Sequence, residues 1–164
     1  FRNNIITGSI STEFGMMTKL SRLTFRNNQM NGTIPSEIGL LAELSKLFAD
    51  TNLFSGTVPT EVGTLSSIQW LDFHSNKLTG TIPSEVGLLP NLLDMSFRDN
   101  LLTGTVPTEV GQISTLKSFW IFDNEITGTI QFCGIIPANP RIDCLELNCS
   151  CCLDIEGTRC LEDT

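Results

Sequence analysis

Basic residues are few in this chain, histidine is nearly absent, and no cysteine occurs before residue 133. Ten Lys and Arg stand against 18 Asp and Glu, for a formal net charge of -8. Binding to a phosphate backbone needs clustered Lys and Arg, so nucleic acid is excluded as a partner. No run of 18 or more apolar residues occurs, so this stretch holds no membrane span, and any membrane attachment belongs to segments outside it. The only histidine is His74, beside Ser75. Adjacent strand residues face opposite ways, so the pair makes no catalytic constellation, and neither enzymatic activity nor a cofactor is expected.

What is present is a repeat. Gly8, Gly32, Gly56, Gly80, Gly104 and Gly128 recur every 24 residues, and Asn4, Asn28, Asn52, Asn76, Asn100 and Asn124 keep the same step. Residues 1–131 are therefore one unit in six copies, the first incomplete at its N-terminal end. One copy reads Ile68, Leu71, Phe73, Leu78, Ile82, Val86 and Leu89 at its apolar positions, a spacing that fits a short turn entering a strand. Two strand columns, Leu23, Leu47, Leu71, Met95, Phe119 and Phe25, Ala49, Phe73, Phe97, Ile121, are apolar in every copy. Each copy thus owns an apolar edge it cannot bury alone, and stacking the copies makes one continuous core. The opening "FRNN" recurs at Phe25–Asn28 as the tail of a strand, with no initiator Met or signal-peptide pattern before it. The expectation is a longer protein with further repeats before residue 1.

"IQWLDFHSNKL" carries the pattern L-x-x-L-x-L-x-x-N-x-L. Leu78 together with the following "TGTIPSEVGLLPN" gives L-x-G-x-I-P. In both, the chain resembles the plant-type leucine-rich repeats of receptor-kinase ectodomains and secreted polygalacturonase-inhibiting proteins. The resemblance implies an α/β solenoid, a right-handed superhelix of 24-residue coils. A parallel β-sheet would line its concave face, short 3₁₀ or helical turns its convex side, and a disulfide-rich cap its C-terminal end. It also implies that the repeated Asn turns inward to satisfy backbone groups of neighbouring coils, which suits a short side chain with both donor and acceptor. Gly32, Gly56, Gly80 and Gly104 permit close approach or unusual dihedrals. Pro35, Pro59, Pro83 and Pro107 set up a turn, and Gly39, Gly63, Gly87 and Gly111 are expected to end it.

At Gln131 the Gly-Thr-(Ile/Val)-Pro habit stops, and residues 132–164 read as an atypical capping unit for the open end of the stack. It contains Cys133, Cys144, Cys149, Cys151, Cys152 and Cys160. An even count in a segment with little core of its own fits disulfides. A metal site is the alternative, but "CSCC" lacks repeated C-x₂₋₄-C pairs and the segment has no histidine. Fifteen pairings remain open, of which Cys151–Cys152 is the one that disulfide geometry disfavours. Disulfides imply an oxidising compartment, and glycosylation sequons at Asn31 and Asn148 point the same way, to secretion or a cell surface.

Outward positions of the strands form the concave face. They place Phe48, Trp70, Trp120 and Phe122 in solvent, mixed with Asp72, His74 and Arg98. Large aromatics facing water are the informative exception to burial, and their mixture with Arg and Asp has the composition of a recognition hot spot. The expectation is a non-enzymatic extracellular module binding a protein, peptide or glycan. The alternative is a structural component of a cell wall, matrix or surface appendage. A second surface carries Thr7/Ser9, Asn31/Thr33, Ser55/Thr57, Thr79/Thr81, Thr103/Thr105 and Thr127/Thr129. These parallel hydroxyl ladders resemble the ice-binding faces of unrelated β-solenoids, which gives a minor alternative of ice or crystalline-polymer binding.

Overall fold

The computed structural model describes residues 1–128, so the cysteine segment, Asn148, Thr129 and the expected boundary at residue 131 lie outside the described residues. In chain order the strands are β1 (Thr7–Gly8), β2 (Arg22–Thr24), β3 (Gln29–Gly32), β4 (Lys46–Phe48), β5 (Leu53–Gly56), β6 (Trp70–Asp72), β7 (Lys77–Gly80), β8 (Asp94–Ser96), β9 (Leu101–Gly104), β10 (Ser118–Trp120) and β11 (Glu125–Ile126). They form two parallel sheets, one of five strands ordered β10-β8-β6-β4-β2 and one of six ordered β1-β3-β5-β7-β9-β11. Five-residue 3₁₀ turns at Thr12–Met16, Ser36–Leu40, Thr60–Thr64, Ser84–Leu88 and Thr108–Gln112 complete the coils. No helix among the described residues is long and apolar enough to cross a membrane.

The five-stranded sheet is the expected one. Leu47, Leu71, Met95 and Phe119 pair in register and are fully buried, while their strand neighbours point outward. The six-stranded sheet lies where the sequence suggested only glycines flanked by hydroxyls. It forms because Met30, Phe54, Leu78 and Leu102 turn into the core between exposed neighbours, the alternation of a half-buried strand.

Between the sheets, each coil passes through a left-handed residue: Asn3, Asn27, Thr51, Ser75, Asp99 and Asp123 have φ between 50° and 55°. Four of these are Asn or Asp, the side chains that tolerate this region best. The bend brings the next residue, the repeated Asn, inward. Asn52 Nδ2 donates to the carbonyls of Phe25, Ala49 and Asp50 at 3.0, 3.2 and 3.0 Å, and Oδ1 accepts from Met30 N–H at 3.1 Å. Asn100 repeats the set on Phe73, Phe97, Arg98 and Leu78. The role implied by the resemblance is therefore the one observed, and it leaves no buried side-chain polar atom unpaired among the described residues.

A column of phenylalanines runs through the core, with Ala49 and Ile121 as its exceptions. Where other coils carry Phe25, Phe73 or Phe97, one carries Ala49, and that coil places Phe54 where its neighbours have Met30 and Leu78. Phe54 thus restores part of the bulk that Ala49 gives up on the other wall of the coil.

The two glycine series have different causes. Gly56 and Gly80 adopt φ of 74° and 75°, and an added Cβ would also lie 2.9 and 2.8 Å from the Thr33 and Thr57 methyls of the preceding coil. Gly39, Gly63 and Gly87 were expected to end their turns; instead they sit inside the 3₁₀ turns, one residue before the last, and without positive φ. Their reason is stacking. A Cβ on Gly63 would lie 2.5 Å from the Glu85 carbonyl oxygen of the next turn. The prolines likewise stand just before the turns, at extended φ and ψ, rather than inside them.

Candidate functional site

Stacking sets the outward residues of the five-stranded sheet into columns. One column runs Lys46, Trp70, Asp94, Ser118 and the next Phe48, Asp72, Ser96, Trp120, each step a paired position on adjoining strands. Arg26, His74, Arg98 and Phe122 follow just after their strands.

The N-terminal half of this face is held by an ion network. Arg26 donates from Nε to Asp50 Oδ1 at 2.7 Å and from Nη2 to Asp72 Oδ2 at 3.0 Å, so a single guanidinium ties together three coils. His74 Nδ1 lies 2.6 Å from Asp72 Oδ1, and its Nε2 is 3.9 Å from Asp50 Oδ2. Burial pushes the Asp50 carboxyl above its ordinary range, Asp72 adds repulsion, and Arg26 and His74 oppose both. Ligand atoms of Asp50, Asp72 and His74 all lie within 4.8 Å of one another, a set that could hold a metal ion. Arg26 already engages both carboxylates, so a metal would have to displace it. The second nitrogen of His74 faces the Asp50 carboxylate, so both ring nitrogens lie near carboxylates.

The C-terminal half is more open. Asp72, His74, Asp94, Ser96, Arg98 and Trp120 line a depression of ≈ 280 Å³. Ser96, the smallest residue of its column, sits between Asp72 and Trp120 and leaves the gap. Burial raises the Asp94 carboxyl, the Ser118 hydroxyl opposes this, and Asp72 adds to it. Folded Asp94 therefore holds its proton to higher pH than unfolded Asp94, so its contribution to stability falls as pH rises through and above the ordinary carboxylate range. Asp94→Asn should match the wild type in stability below that range and exceed it at neutral pH. Thermal unfolding across pH checks this, and a difference that does not vary with pH would contradict it.

Of the residues singled out in the sequence, Asp72, His74, Arg98 and Trp120 meet in the depression. Phe122 packs edge-on against Trp120 with centroids 6.0 Å apart. Phe48 and Trp70 stand apart from it, covered by the chain's own cations: Arg26 lies 4.6 Å from the Phe48 centroid and the Lys46 ammonium 4.0 Å from that of Trp70. Arg26, Asp94 and Ser96 were missed as site residues. Asn31 is exposed in β3, on the other sheet.

The second surface is also in place. Thr57, Thr79, Thr81, Thr103 and Thr105 are exposed, and Thr57, Thr81 and Thr105 border a trough of ≈ 670 Å³ together with Pro83 and Pro107. Thr103 and Thr127 donate to the Gly80 and Gly104 carbonyls of the preceding coils, both at 3.3 Å.

Inward asparagines, a parallel sheet of short strands and 3₁₀ turns repeated every 24 residues place the chain in the leucine-rich-repeat family. The Leucine Rich Repeat family model matches residues 19–41 and 67–89. The chain is similar to the leucine-rich-repeat ectodomain of the receptor kinase SOBIR1 from Arabidopsis thaliana, at 33% identity over 77% of this chain and 68% of that one, with a TM-score of 0.72. A plant ice-binding protein is 32% identical over 78% of this chain and 42% of that one, with a TM-score of 0.74. The ectodomain of the Arabidopsis receptor kinase HAESA, in complex with an IDA peptide hormone ligand, gives a TM-score of 0.81 at 28% identity. That match covers 87% of this chain and 25% of the ectodomain chain, so the chain spans less than half of the last two structures. No curated protein matches significantly.

Proposed function

We propose that the chain is a non-enzymatic extracellular recognition module that binds a protein or peptide across the five-stranded sheet. The observation that carries this is a rigid outward face with two tryptophans, two phenylalanines and a depression beside one of them. A ligand-bound relative, HAESA with its peptide hormone, supports the choice of partner. The extracellular address is supported by the receptor ectodomains among the similar structures, the cysteine-rich segment and the exposed sequon at Asn31. The test is selection of ligands from a displayed random-peptide library, followed by rebinding to Trp120→Ala and Phe122→Ala. Binding should fall about tenfold or more in each, as for hot-spot aromatics, with little change in thermal midpoint. Equal loss of stability and binding would make them packing residues.

A second reading is favoured by the exposed threonine ladders together with the 32%-identical ice-binding protein. Coils repeat at roughly 4.8 Å across a sheet, so the hydroxyls form a regular array suited to an ordered lattice. On this reading the protein inhibits ice recrystallisation, and Thr81→Lys abolishes the effect while leaving peptide binding intact. Wild-type protein without effect on ice growth removes it.

A further inference from the structure

We propose that the depression centred on Ser96 is a pocket for the cationic end of an Arg or Lys side chain, presented by an extended peptide lying across the five-stranded sheet. This rests on the recognition reading above and adds to it the chemistry of the residue recognised.

The pocket exists because one outward position lacks bulk. Phe48, Asp72 and Trp120 fill their places in the column and Ser96 does not, so the gap is about one side chain wide. Ser96 is only 5% exposed and lines the depression. Its hydroxyl puts a polar group in the gap, one that can accept a hydrogen bond from an entering side chain.

Charge selects the sign of that partner. Asp94 has no basic group within 4.0 Å among the described residues, whereas Asp50 and Asp72 share Arg26. Arg98 is turned onto the Phe122 ring, with its guanidinium carbon 5.5 Å from the centroid. Among the residues that line the depression, Asp72 and Asp94 are acidic and Arg98 is basic, a formal balance of one negative charge with His74 neutral. Burial already holds the Asp94 carboxyl above its ordinary range, the signature of a carboxylate lacking its counter-ion.

The aromatics give an independent indication. Phe48 carries Arg26, Trp70 carries Lys46 and Phe122 carries Arg98, each within cation–π reach. Trp120 alone among these outward rings carries no cation from the described residues, and it is the ring that walls the pocket. A ligand guanidinium or ammonium would complete the pattern, with the carboxylate of Asp94 beside it and the Ser96 oxygen as acceptor.

The test uses blocked heptapeptide pools whose central residue is Arg, Lys, citrulline or Glu and whose other positions are random uncharged residues, titrated against the protein by calorimetry. Arg and Lys pools should bind about tenfold tighter than citrulline, which keeps the shape and loses the charge. That preference should vanish in Asp94→Asn and in Ser96→Leu. Ser96 is buried, so Asp94→Asn, whose stability at neutral pH is expected to rise, guards against misreading a folding defect. Equal binding of the citrulline pool, or tightest binding of the Glu pool, overturns the proposal. An Arg preference that survives both substitutions places the cation elsewhere and overturns the pocket, while leaving the sheet as a recognition surface. No binding by any pool overturns both.

Discussion

Gly63→Ala is expected to lower the stability of the solenoid by about 3 kcal/mol, the upper part of the range for overpacking a closely packed contact. An added Cβ would lie 2.5 Å from the Glu85 carbonyl oxygen, 2.6 Å from its Cβ and 2.9 Å from its carbonyl carbon. Two of these three are backbone atoms of the following 3₁₀ turn, so relief requires the turns at Thr60–Thr64 and Ser84–Leu88 to separate. Separation there weakens stacking between two central coils, and in a quasi-one-dimensional fold such an interface couples the two halves. Gly8→Ala is the control. Gly8 has φ of 94° but nothing within 4 Å of an added Cβ, so it costs only the left-handed strain, about 1–2 kcal/mol. Urea unfolding of both variants should rank Gly63→Ala as the more damaging, with a broadened transition as the halves uncouple. The reverse order would mean that adjoining turns can slide apart at little cost.

The coil was legible in the sequence because its determinants repeat. Leu71 and Phe73 mark the inward side of a strand in one copy and are matched by apolar residues in four others, and the 24-residue step removes ambiguity of register. The inward asparagine was legible only through resemblance, since nothing in Asn52 itself says that Phe25, a coil earlier, needs a donor. Gly63 was assigned to the right turn for the wrong reason. A glycine near the end of a turn looks the same whether it supplies positive φ or makes room for a neighbour, and the neighbour here is 22 residues away.

The site was half legible. Trp and Phe stand out at strand positions that should face water, so Trp120 and Phe122 were singled out, and the structure leaves both half-buried on that face. Arg26 was missed because its two carboxylates lie 24 and 46 residues away, on two successive coils. Ser96 was missed for a different reason: a serine at an outward position is unremarkable until its neighbours in the stack prove to be larger. Pockets made by an absent side chain are written in the columns, across coils, and not along the chain.

Asn52→Ala should cost about 3 kcal/mol, and the partner that accounts for most of it can be identified. Four backbone groups bond to the Asn52 side chain, but three have another partner. The Phe25 carbonyl also accepts from Asn28, the Ala49 carbonyl from Asn76, and the Asp50 carbonyl from the Asn27 N–H. Only Met30 N–H, buried at the entrance to the second sheet, depends on Asn52 alone. The loss is therefore one orphaned buried donor plus the gap left by the amide, rather than four hydrogen bonds. Asn52→Asp separates these contributions. It keeps an acceptor for Met30 N–H but sets a carboxylate against three carbonyl oxygens, so at neutral pH it should be worse than Ala. A carboxyl in that place has its pKa raised, which makes the folded state bind more protons than the unfolded one. The variant then regains stability as pH falls through the raised value, where the protonated group can donate again. Thermal midpoints of the wild type, Asn52→Ala and Asn52→Asp from neutral to acidic pH check the ranking. An Asp variant as stable as wild type at neutral pH would show that acceptance from Met30 N–H carries the whole contribution and the donations to the carbonyls none.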